Sequence, residues 1–356
     1  MDVSTALAPL LVSADELLIA DVLRLAAAAG VVPEIARDLS SALRSWPSAP
    51  VILIGSDLAD EVALLHAPRR PDVHVVGHGP VPDGLFRSAL QAGAENVAEL
   101  PLSETWLIEL LTDVGDGASV PGVTIGVVGG SGGAGATVFA AALALGCRPF
   151  GSTLLVDADP LGAGVDRVLG LESLDGVRWD ALLQATGRLS ARSLRQTLPQ
   201  RDGLAVLTWP VDRANSLQAF AMREVLSAGR RGFDTLVLDL PRHPDQVIDE
   251  VLARCDHIVL VSTLTVPAVT SASRVARRLP PGTQRHLVTR GGHAGVSPGE
   301  VSKLLGVPLL SAMADQRGLD ESVNLGAGPI RSRRGALSRA ARECAGLLLE
   351  GRAVGA

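Results

Sequence analysis

The sequence of 356 residues is poor in the residue types that mark several classes of protein. It has no tyrosine, and its three cysteines are widely scattered, which indicates neither a disulfide framework nor a zinc site. No apolar run approaches the roughly 18 residues that a membrane-spanning helix requires. The start at Met1-Asp2 lacks the basic segment of a signal peptide. From these absences we expect a cytoplasmic protein.

Positive charge is carried almost entirely by arginine. Lys303 is the single lysine among the 32 lysine and arginine residues, so a site that needs a lysine must use Lys303 or do without. The net charge of −6 excludes a protein that coats nucleic acid through overall charge, and we predict no nucleic-acid partner. Hydrophobic residues make up 47% of the chain, which indicates a globular protein, and the length predicts two domains.

Short apolar runs alternate with helical patterns along the chain, which is typical of parallel sheets covered on both faces. The pattern predicts a small α/β domain at residues 1–112 and a glycine-rich linker at residues 113–120. It predicts a larger, doubly wound, mostly parallel α/β domain at residues 121–356. The small domain has four predicted strands, near residues 10–13, 50–54, 73–76 and 96–98. The large domain has seven, at Val123–Val128, Thr153–Val156, Leu204–Leu207, Thr235–Leu238, His257–Val261, Arg285–Val288 and Val307–Leu310.

A glycine-rich loop at residues 129–137 follows the strand Val123–Val128 and precedes an alanine-rich helix. Strand, glycine loop and helix together form a phosphate cradle, because backbone N–H groups and the helix N-terminus attract anions. A hydroxyl residue at the start of the helix, here Thr137, can bind Mg²⁺. A glycine-rich turn without a ligand is the alternative for the loop taken alone. The residues predicted to bind the nucleotide are Gly132, Gly133, Ala134, Gly135, Ala136 and Thr137.

Two of the later strands end in aspartate. Asp157 and Asp159 follow one of them, and Asp239 follows another. Because the carboxyl ends of parallel strands converge on the crevice beside such a loop, we expect Asp239 to complete the Mg²⁺ site. Asp157 or Asp159 would orient a water for catalysis. Helix capping is the alternative role for aspartates at strand ends.

In their order, these motifs resemble the MinD/ParA group of P-loop proteins, and the resemblance covers residues 122–350. The group's deviant Walker A loop reads Lys-Gly-Gly-x-Gly-Lys-Thr, whereas Ser131 and Ala136 stand at the two lysine positions here. Thr289 stands where the group has an adenine-contacting asparagine. The resemblance implies a homodimer that binds ATP or ADP with Mg²⁺, and the missing lysines imply weak binding with little or no hydrolysis. An active ATPase that uses an arginine instead is the alternative.

Residues 7–112 resemble a response-regulator receiver, chiefly through residues 88–97 followed by Pro101. The carboxylates of receiver chemistry are missing, because Ser13 and Ala14 replace the acidic pair and Gly55 replaces the phospho-acceptor. Leu100 replaces the lysine before Pro101. We therefore predict a pseudo-receiver that docks other proteins, with a purely structural remnant as the alternative.

A pseudo-receiver joined to a MinD/ParA-like domain without loop lysines resembles the CpaE/TadZ group. Arg178-Trp179 is similar to a segment of its actinobacterial septum site-determining branch. This resemblance implies septum placement by ATP-state-dependent or constitutive association with division-site proteins. Localisation of Tad-type pilus or secretion machinery is the alternative. The C-terminal helix, with Arg339 and Arg342 opposite apolar residues, would either contact the inner face of the cell membrane or pack on the sheet.

Overall fold

The computed structural model of the protein describes residues 8–65, 70, 72–115, 121–184, 189–210, 216–291 and 295–350. The chain divides into two compact units. The smaller unit is Met1–Val120 with Gly187–Ala191, and the larger is Pro121–Thr186 with Arg192–Ala356.

Strands and helices alternate along the smaller unit. They are β1 (Leu10–Val12), α1 (Glu16–Ala28), β2 (Glu34–Ala36), α2 (Leu39–Ser45), β3 (Ile52–Gly55), α3 (Ala59–Leu65), β4 (Val73–His78), α4 (Asp83–Ala92), β5 (Asn96–Leu100) and α5 (Glu104–Gly115). The five strands form one parallel sheet in the order β2-β1-β3-β4-β5. The sheet is covered on both faces by separate clusters of buried residues, because successive side chains of β1 belong to different clusters. This explains why its strands are apolar at consecutive positions.

The four strands predicted for this unit are present, but β2 was missed. Its residues Glu34, Ile35 and Ala36 are exposed, partly buried and buried in turn, so the short edge strand has no continuous apolar run. Helix α5 ends at Gly115, three residues inside the segment predicted as a linker, and residues 116–120 of that segment lie outside the described part of the chain.

The larger unit continues the alternation around an eight-stranded sheet. Its strands are β6 (Val123–Gly129), β7 (Thr153–Asp157), β8 (Gln200–Arg201), β9 (Leu204–Leu207), β10 (Thr235–Leu240), β11 (His257–Thr263), β12 (Gln284–Arg290) and β13 (Leu309–Met313). Its helices are α6 (Ala136–Cys147), α7 (Val165–Leu169), α8 (Trp179–Leu182), α9 (Ala191–Thr197), α10 (Ala219–Gly232), α11 (Gln246–Ala253), α12 (Val266–Ala276), α13 (Pro298–Leu305), α14 (Leu319–Asn324) and α15 (Ala336–Leu349).

The sheet order β13-β12-β11-β6-β10-β7-β9-β8 places β6 between β11 and β10. The connection from β6 to β7 runs towards one edge of the sheet and the connection from β10 to β11 runs towards the other. The carboxyl end of β6 therefore lies at a topological switch point, where open α/β sheets bind ligands. All pairs are parallel except β8 with β9, which form a hairpin across Asp202 and Gly203. Both hairpin residues have positive φ angles, 50° and 81°, as a two-residue turn of this kind requires.

The core of the larger unit is built around α6. This helix is rich in alanine, and it is buried on most sides between the sheet and α15. The apolar side of α15, which includes Leu337, Ala341, Cys344 and Leu348, belongs to the same buried cluster. The predicted α/β class, with a parallel sheet in each half of the chain, is confirmed.

Candidate functional site

The glycine-rich loop between β6 and α6 has the backbone conformation of an anion cradle. Gly133 and Gly135 adopt φ angles of 71° and 86°, which are costly for residues that carry a Cβ. Gly132 and Gly133 are exposed, and a Cβ on Gly133 would meet no atom within 4 Å. The crest of the loop is therefore open, and the unbonded N–H groups of the first turn of α6 lie at its base.

The rear of the loop is fixed against the sheet. The Gly130 N–H donates a 2.8 Å hydrogen bond to the carbonyl of Val261 in β11. A Cβ on Gly130 would lie 2.6 Å from the Cβ of Ala272 in α12. Only glycine fits this close approach, so β11 and α12 hold the start of the loop in place.

Two buried aspartates lie opposite each other at the carboxyl ends of β7 and β10. Asp157 and Asp239 are paired in the register of these strands, and the Thr137 side chain lies close enough to the Asp239 carboxylate to oppose the rise in its pKa. The pKa of each aspartate is raised to about 7, chiefly by burial. The charge of Asp239 contributes to the shift of Asp157, and the charge of Asp159 contributes to that of Asp239. A divalent cation bound here would offset the cost of burying these charges.

The two predicted catalytic residues have different surroundings. The Asp157 carboxylate accepts hydrogen bonds from the N–H of Asp159 at 3.1 Å, the N–H of Val165 at 3.3 Å and the Thr208 hydroxyl at 3.2 Å. Asp159 is only partly buried, and its carboxylate accepts from the N–H of Leu161 at 3.0 Å. Asp157 thus holds the segment that follows β7, and Asp159 is the more accessible of the two.

A pair of stacked tryptophans supports the backbone at Asp157. The indole N–H groups of Trp179 and Trp209 both donate to the Asp157 carbonyl, at 2.7 and 3.1 Å. Their ring centroids are 5.4 Å apart, and Trp179 is fully buried. Sequence reasoning noted Trp179 only as part of a family segment and missed Trp209, because the two rings meet through contacts distant in sequence.

A cavity of about 220 Å³ adjoins the start of α6. It is lined by Gly135, Val138, Arg290, Met313, Ala314, Asp315, Gln316, Leu319, Asp320 and Leu337. The Arg290 Nε donates to the Asp315 carboxylate at 2.8 Å. Thr289, to which the resemblance in sequence assigns an adenine contact, is buried and does not line the cavity. At this edge the neighbouring Arg290 is the residue that reaches the cavity.

These residues fit a magnesium nucleotide in three respects. The loop offers open backbone donors, Thr137 and Asp239 offer paired oxygen ligands of the kind that Mg²⁺ prefers, and a cavity adjoins them. The loop differs from a typical nucleotide site in its charge, because Ser131 and Ala136 are both uncharged. Lys303 lies in the last turn of α13, which precedes β13 at the edge of the sheet, whereas the loop follows the central strand β6.

In the smaller unit, the space beside Gly55 is filled by neighbouring side chains. The Asp57 carboxylate accepts hydrogen bonds from the Ser13 hydroxyl at 2.9 Å and the Ala14 N–H at 2.8 Å. A Cβ on Gly55 would lie 2.7 Å from the Ser13 Oγ and would also clash with Asp57. Asp57 and Ser13 therefore fill the space that a phospho-acceptor at Gly55 would need.

Most of the apolar side of the C-terminal helix α15 packs on the core, although Leu347 is exposed. Leu337, Ala341, Cys344 and Leu348 are buried in the core with α6, whereas Arg339 and Arg342 are exposed. Of the two expectations for this helix, the structure shows packing on the core. Among the described residues, no helix combines the length and the apolar character needed to cross a bilayer.

Two comparisons of sequence identify relatives. Residues 12–122 match a family model described as the Rv3660c-like, CheY-like N-terminal domain. The chain is 35% identical to protein Rv3660c of Mycobacterium tuberculosis over 331 residues, which cover 91% of this chain and 93% of the relative. It is 25% identical over 212 residues to a chain of Nephroselmis olivacea named as a septum site-determining protein MinD, covering 56% of this chain and 77% of that one.

Solved structures are similar to the larger part of the chain. The septum site-determining protein MinD of Pyrococcus horikoshii, complexed with Mg-ADP, has a TM-score of 0.55 at 19% identity and covers 65% of this chain and 97% of its own. The MinC:MinD cell division complex of Aquifex aeolicus has a TM-score of 0.52 at 18% identity, with 64% and 96% covered. At these identities the likeness shows the fold alone, which is that of MinD/ParA-like P-loop proteins.

Proposed function

Because this chain belongs to the Rv3660c-like family, with a receiver-like domain before a MinD/ParA-like P-loop domain, we propose that it is a nucleotide-binding regulator of division-septum placement. It binds ATP or ADP with Mg²⁺ weakly at the loop of residues 132–137. It acts by homodimerisation and by association with division-site proteins, through the pseudo-receiver and in a manner that the bound nucleotide controls. Turnover of the nucleotide is slow or absent.

The position of the Thr137 side chain beside the buried Asp239 carboxylate, next to an open glycine loop, is the observation that supports nucleotide binding most strongly. A buried carboxylate with a raised pKa is costly to ionise, and a bound cation removes that cost. The backbone donors of Gly132, Gly133 and Gly135 orient the phosphates, and Thr137 with Asp239 holds Mg²⁺. The ion, when bound, supplies positive charge against the phosphate oxygens.

Slow turnover follows from the residues that the loop lacks. P-loop enzymes depend on a lysine that neutralises the β- and γ-phosphates, and alanine at position 136 cannot do so. The Asp157 carboxylate already accepts hydrogen bonds from the segment after β7, so Asp159 is the candidate for positioning a water. We expect turnover no faster than about 10⁻³ s⁻¹, the scale of an unassisted P-loop GTPase.

Calorimetric titration with Mg-ATP tests the binding site. The wild-type chain should bind in the range of tens to hundreds of micromolar, and Thr137→Ala should weaken binding by about tenfold or more through loss of a ligand to the ion. Thr270→Ala is the matched control, because its hydroxyl donates only to Val266 of its own helix. If the wild-type chain gives neither heat nor thermal stabilisation with Mg-ATP, nucleotide binding is refuted.

Two further measurements separate the proposed role from its alternatives. ATP hydrolysis at rates typical of an active family member, abolished by Thr137→Ala, would indicate an arginine-assisted ATPase. Deletion of the gene in the native cell should produce misplaced septa or filamentous cells. Loss of pili without any change in cell length would instead indicate the localisation of pilus or secretion machinery.

A further inference from the structure

The candidate site lacks positive charge within its own loop, and the source of that charge is a separate question from whether a nucleotide binds. A nucleoside triphosphate carries several negative charges, which one Mg²⁺ ion and backbone N–H groups neutralise only in part. Ser131 and Ala136 are neutral, and the single lysine lies in α13. Any further cation must therefore be an arginine from another element.

Arg242 reaches the loop from the end of β10. It follows Asp239 by three residues, and its Nη2 is the nearest atom, at 3.9 Å, to the position that a Cβ on Gly132 would occupy. The residue is exposed, and its guanidinium forms no ion pair or hydrogen bond with any residue that the structure describes. A cation without a partner beside an open anion cradle is available to a ligand.

The backbone at Arg242 is held in place while its side chain stays available. The Arg242 carbonyl accepts a 3.2 Å hydrogen bond from Nη1 of Arg278 in the turn after α12. Nη2 of Arg278 in turn forms a 2.7 Å ion pair with Asp249 of α11. The segment that carries Arg242 is thus tied to two neighbouring elements, which fixes the point from which the guanidinium extends.

Arg290 also approaches the loop, but its charge is already compensated. Its Nη1 lies 2.6 Å from the position of a Cβ on Gly135, and its Nε is paired with Asp315 at 2.8 Å. The ion pair directs Arg290 towards the cavity rather than leaving it free for phosphate. Of the two arginines, only Arg242 has an uncompensated charge among the described residues.

We propose that Arg242 supplies the phosphate-facing positive charge that a loop lysine supplies in related proteins. This inference rests on the proposed nucleotide site and assigns its missing cation. A guanidinium presents planar, paired donors that match two phosphate oxygens at once, so it contributes directional hydrogen bonds as well as charge. Because Arg242 belongs to the same chain as the loop, it acts without a residue from a second copy. It favours ligands with a polyphosphate tail.

The test compares Mg-ATP binding by the full-length wild-type chain with that of Arg242→Ala, Arg242→Lys and Arg223→Ala, each titrated by calorimetry. Loss of a charge-assisted contact should weaken binding to Arg242→Ala by about ten- to a hundredfold. Arg242→Lys should recover part of that loss, since it retains the charge. Arg223 of α10 is the control for overall charge, because it is exposed and pairs with Glu250. Its replacement should leave binding unchanged.

A second variant moves the charge back into the loop. Ala136→Lys in the Arg242→Ala background should restore binding to the wild-type affinity or better, and inorganic tripolyphosphate with Mg²⁺ should follow the same order of affinities across the variants. Wild-type affinity in Arg242→Ala, or equal weakening in Arg223→Ala, would overturn the role of Arg242 alone. Absence of Mg-ATP binding by the wild-type chain would refute the nucleotide site itself and this role with it.

Discussion

Replacing Gly146 by alanine should destabilise the larger unit, although the same replacement at Gly346 should stabilise it. Both glycines lie within helices of one packed pair, Gly146 in α6 and Gly346 in α15. A Cβ on Gly146 would lie 2.9 Å from the carbonyl oxygen of Ala341 and 3.1 Å from its carbon. These are backbone atoms and cannot rotate away, whereas a Cβ on Gly346 would meet no atom within 4 Å.

The expected magnitudes follow from these contacts. Removing a helical glycine increases the free energy of unfolding by about 0.5–1 kcal/mol at either position. At Gly346 this gain stands alone. At Gly146 the added methyl group forces α15 away from α6, and overpacking of this kind costs about 1–3 kcal/mol. The free energies of unfolding of the two variants should therefore differ by about 1–3 kcal/mol. Where the overpacking cost exceeds the gain in helix stability, Gly146→Ala is less stable than the wild type and Gly346→Ala is more stable.

Thermal unfolding of the full chain, followed by circular dichroism, measures this difference. In a unit of this size 1 kcal/mol corresponds to about 2–4 °C, so Gly146→Ala should melt about 2–12 °C below Gly346→Ala. If both variants melt above the wild type by the same amount, the two helices do not approach as closely as described, and the reasoning from the 2.9 Å contact is wrong.

Three further predictions concern buried polar groups. Asp239→Asn should remove the Mg²⁺-dependent part of ATP binding, and it should raise the free energy of unfolding more at pH 8 than at pH 5. Burial raises the pKa of Asp239 from 3.8 to about 7, so its contribution to stability is complete only below pH 3.8 and is lost as the pH rises through 7. Titrations with and without Mg²⁺, and urea unfolding at both pH values, check this. Trp179→Phe should lower the free energy of unfolding by about 1 kcal/mol through loss of the indole N–H bond to the Asp157 carbonyl, measured by urea unfolding. No loss would mean that the bond from Trp209 suffices. Burial and the neighbouring His257 lower the pKa of His286 to about 4, below the roughly 6.5 of an unfolded histidine, so stability should fall between pH 6.5 and 4. Thermal unfolding of His286→Asn should show a shallower decline over that window, and an unchanged decline would contradict the assignment.

Sequence reasoning located the long strands, and its misses have specific causes. The runs at β6, β7, β10 and β11 are buried on both faces, so their apolar character is continuous and easily recognised. The two-residue strand β8 has no such run. Its one local indication is the Asp202-Gly203 pair, a known hairpin turn, which could have predicted it.

The site was predictable as far as its residues follow one another in the chain. A glycine loop between a strand and a helix, and aspartates at strand ends, are local patterns, and the parallel sheet brings them together as expected. The difference between Asp157 and Asp159 was not predictable. It depends on hydrogen bonds from Thr208 and Val165, which are set by how the segments after β7 and β9 pack.

By itself, the sequence determined which backbone could form a phosphate cradle and that the loop would carry no lysine, because both are properties of consecutive residues. Only the tertiary structure decided that Arg242 lies beside Gly132 without a charged partner among the described residues, that Arg290 is paired with Asp315, and that Asp57 with Ser13 fills the space beside Gly55. These contacts join residues far apart in sequence. Their distances depend on how strands and helices pack, which no local pattern specifies.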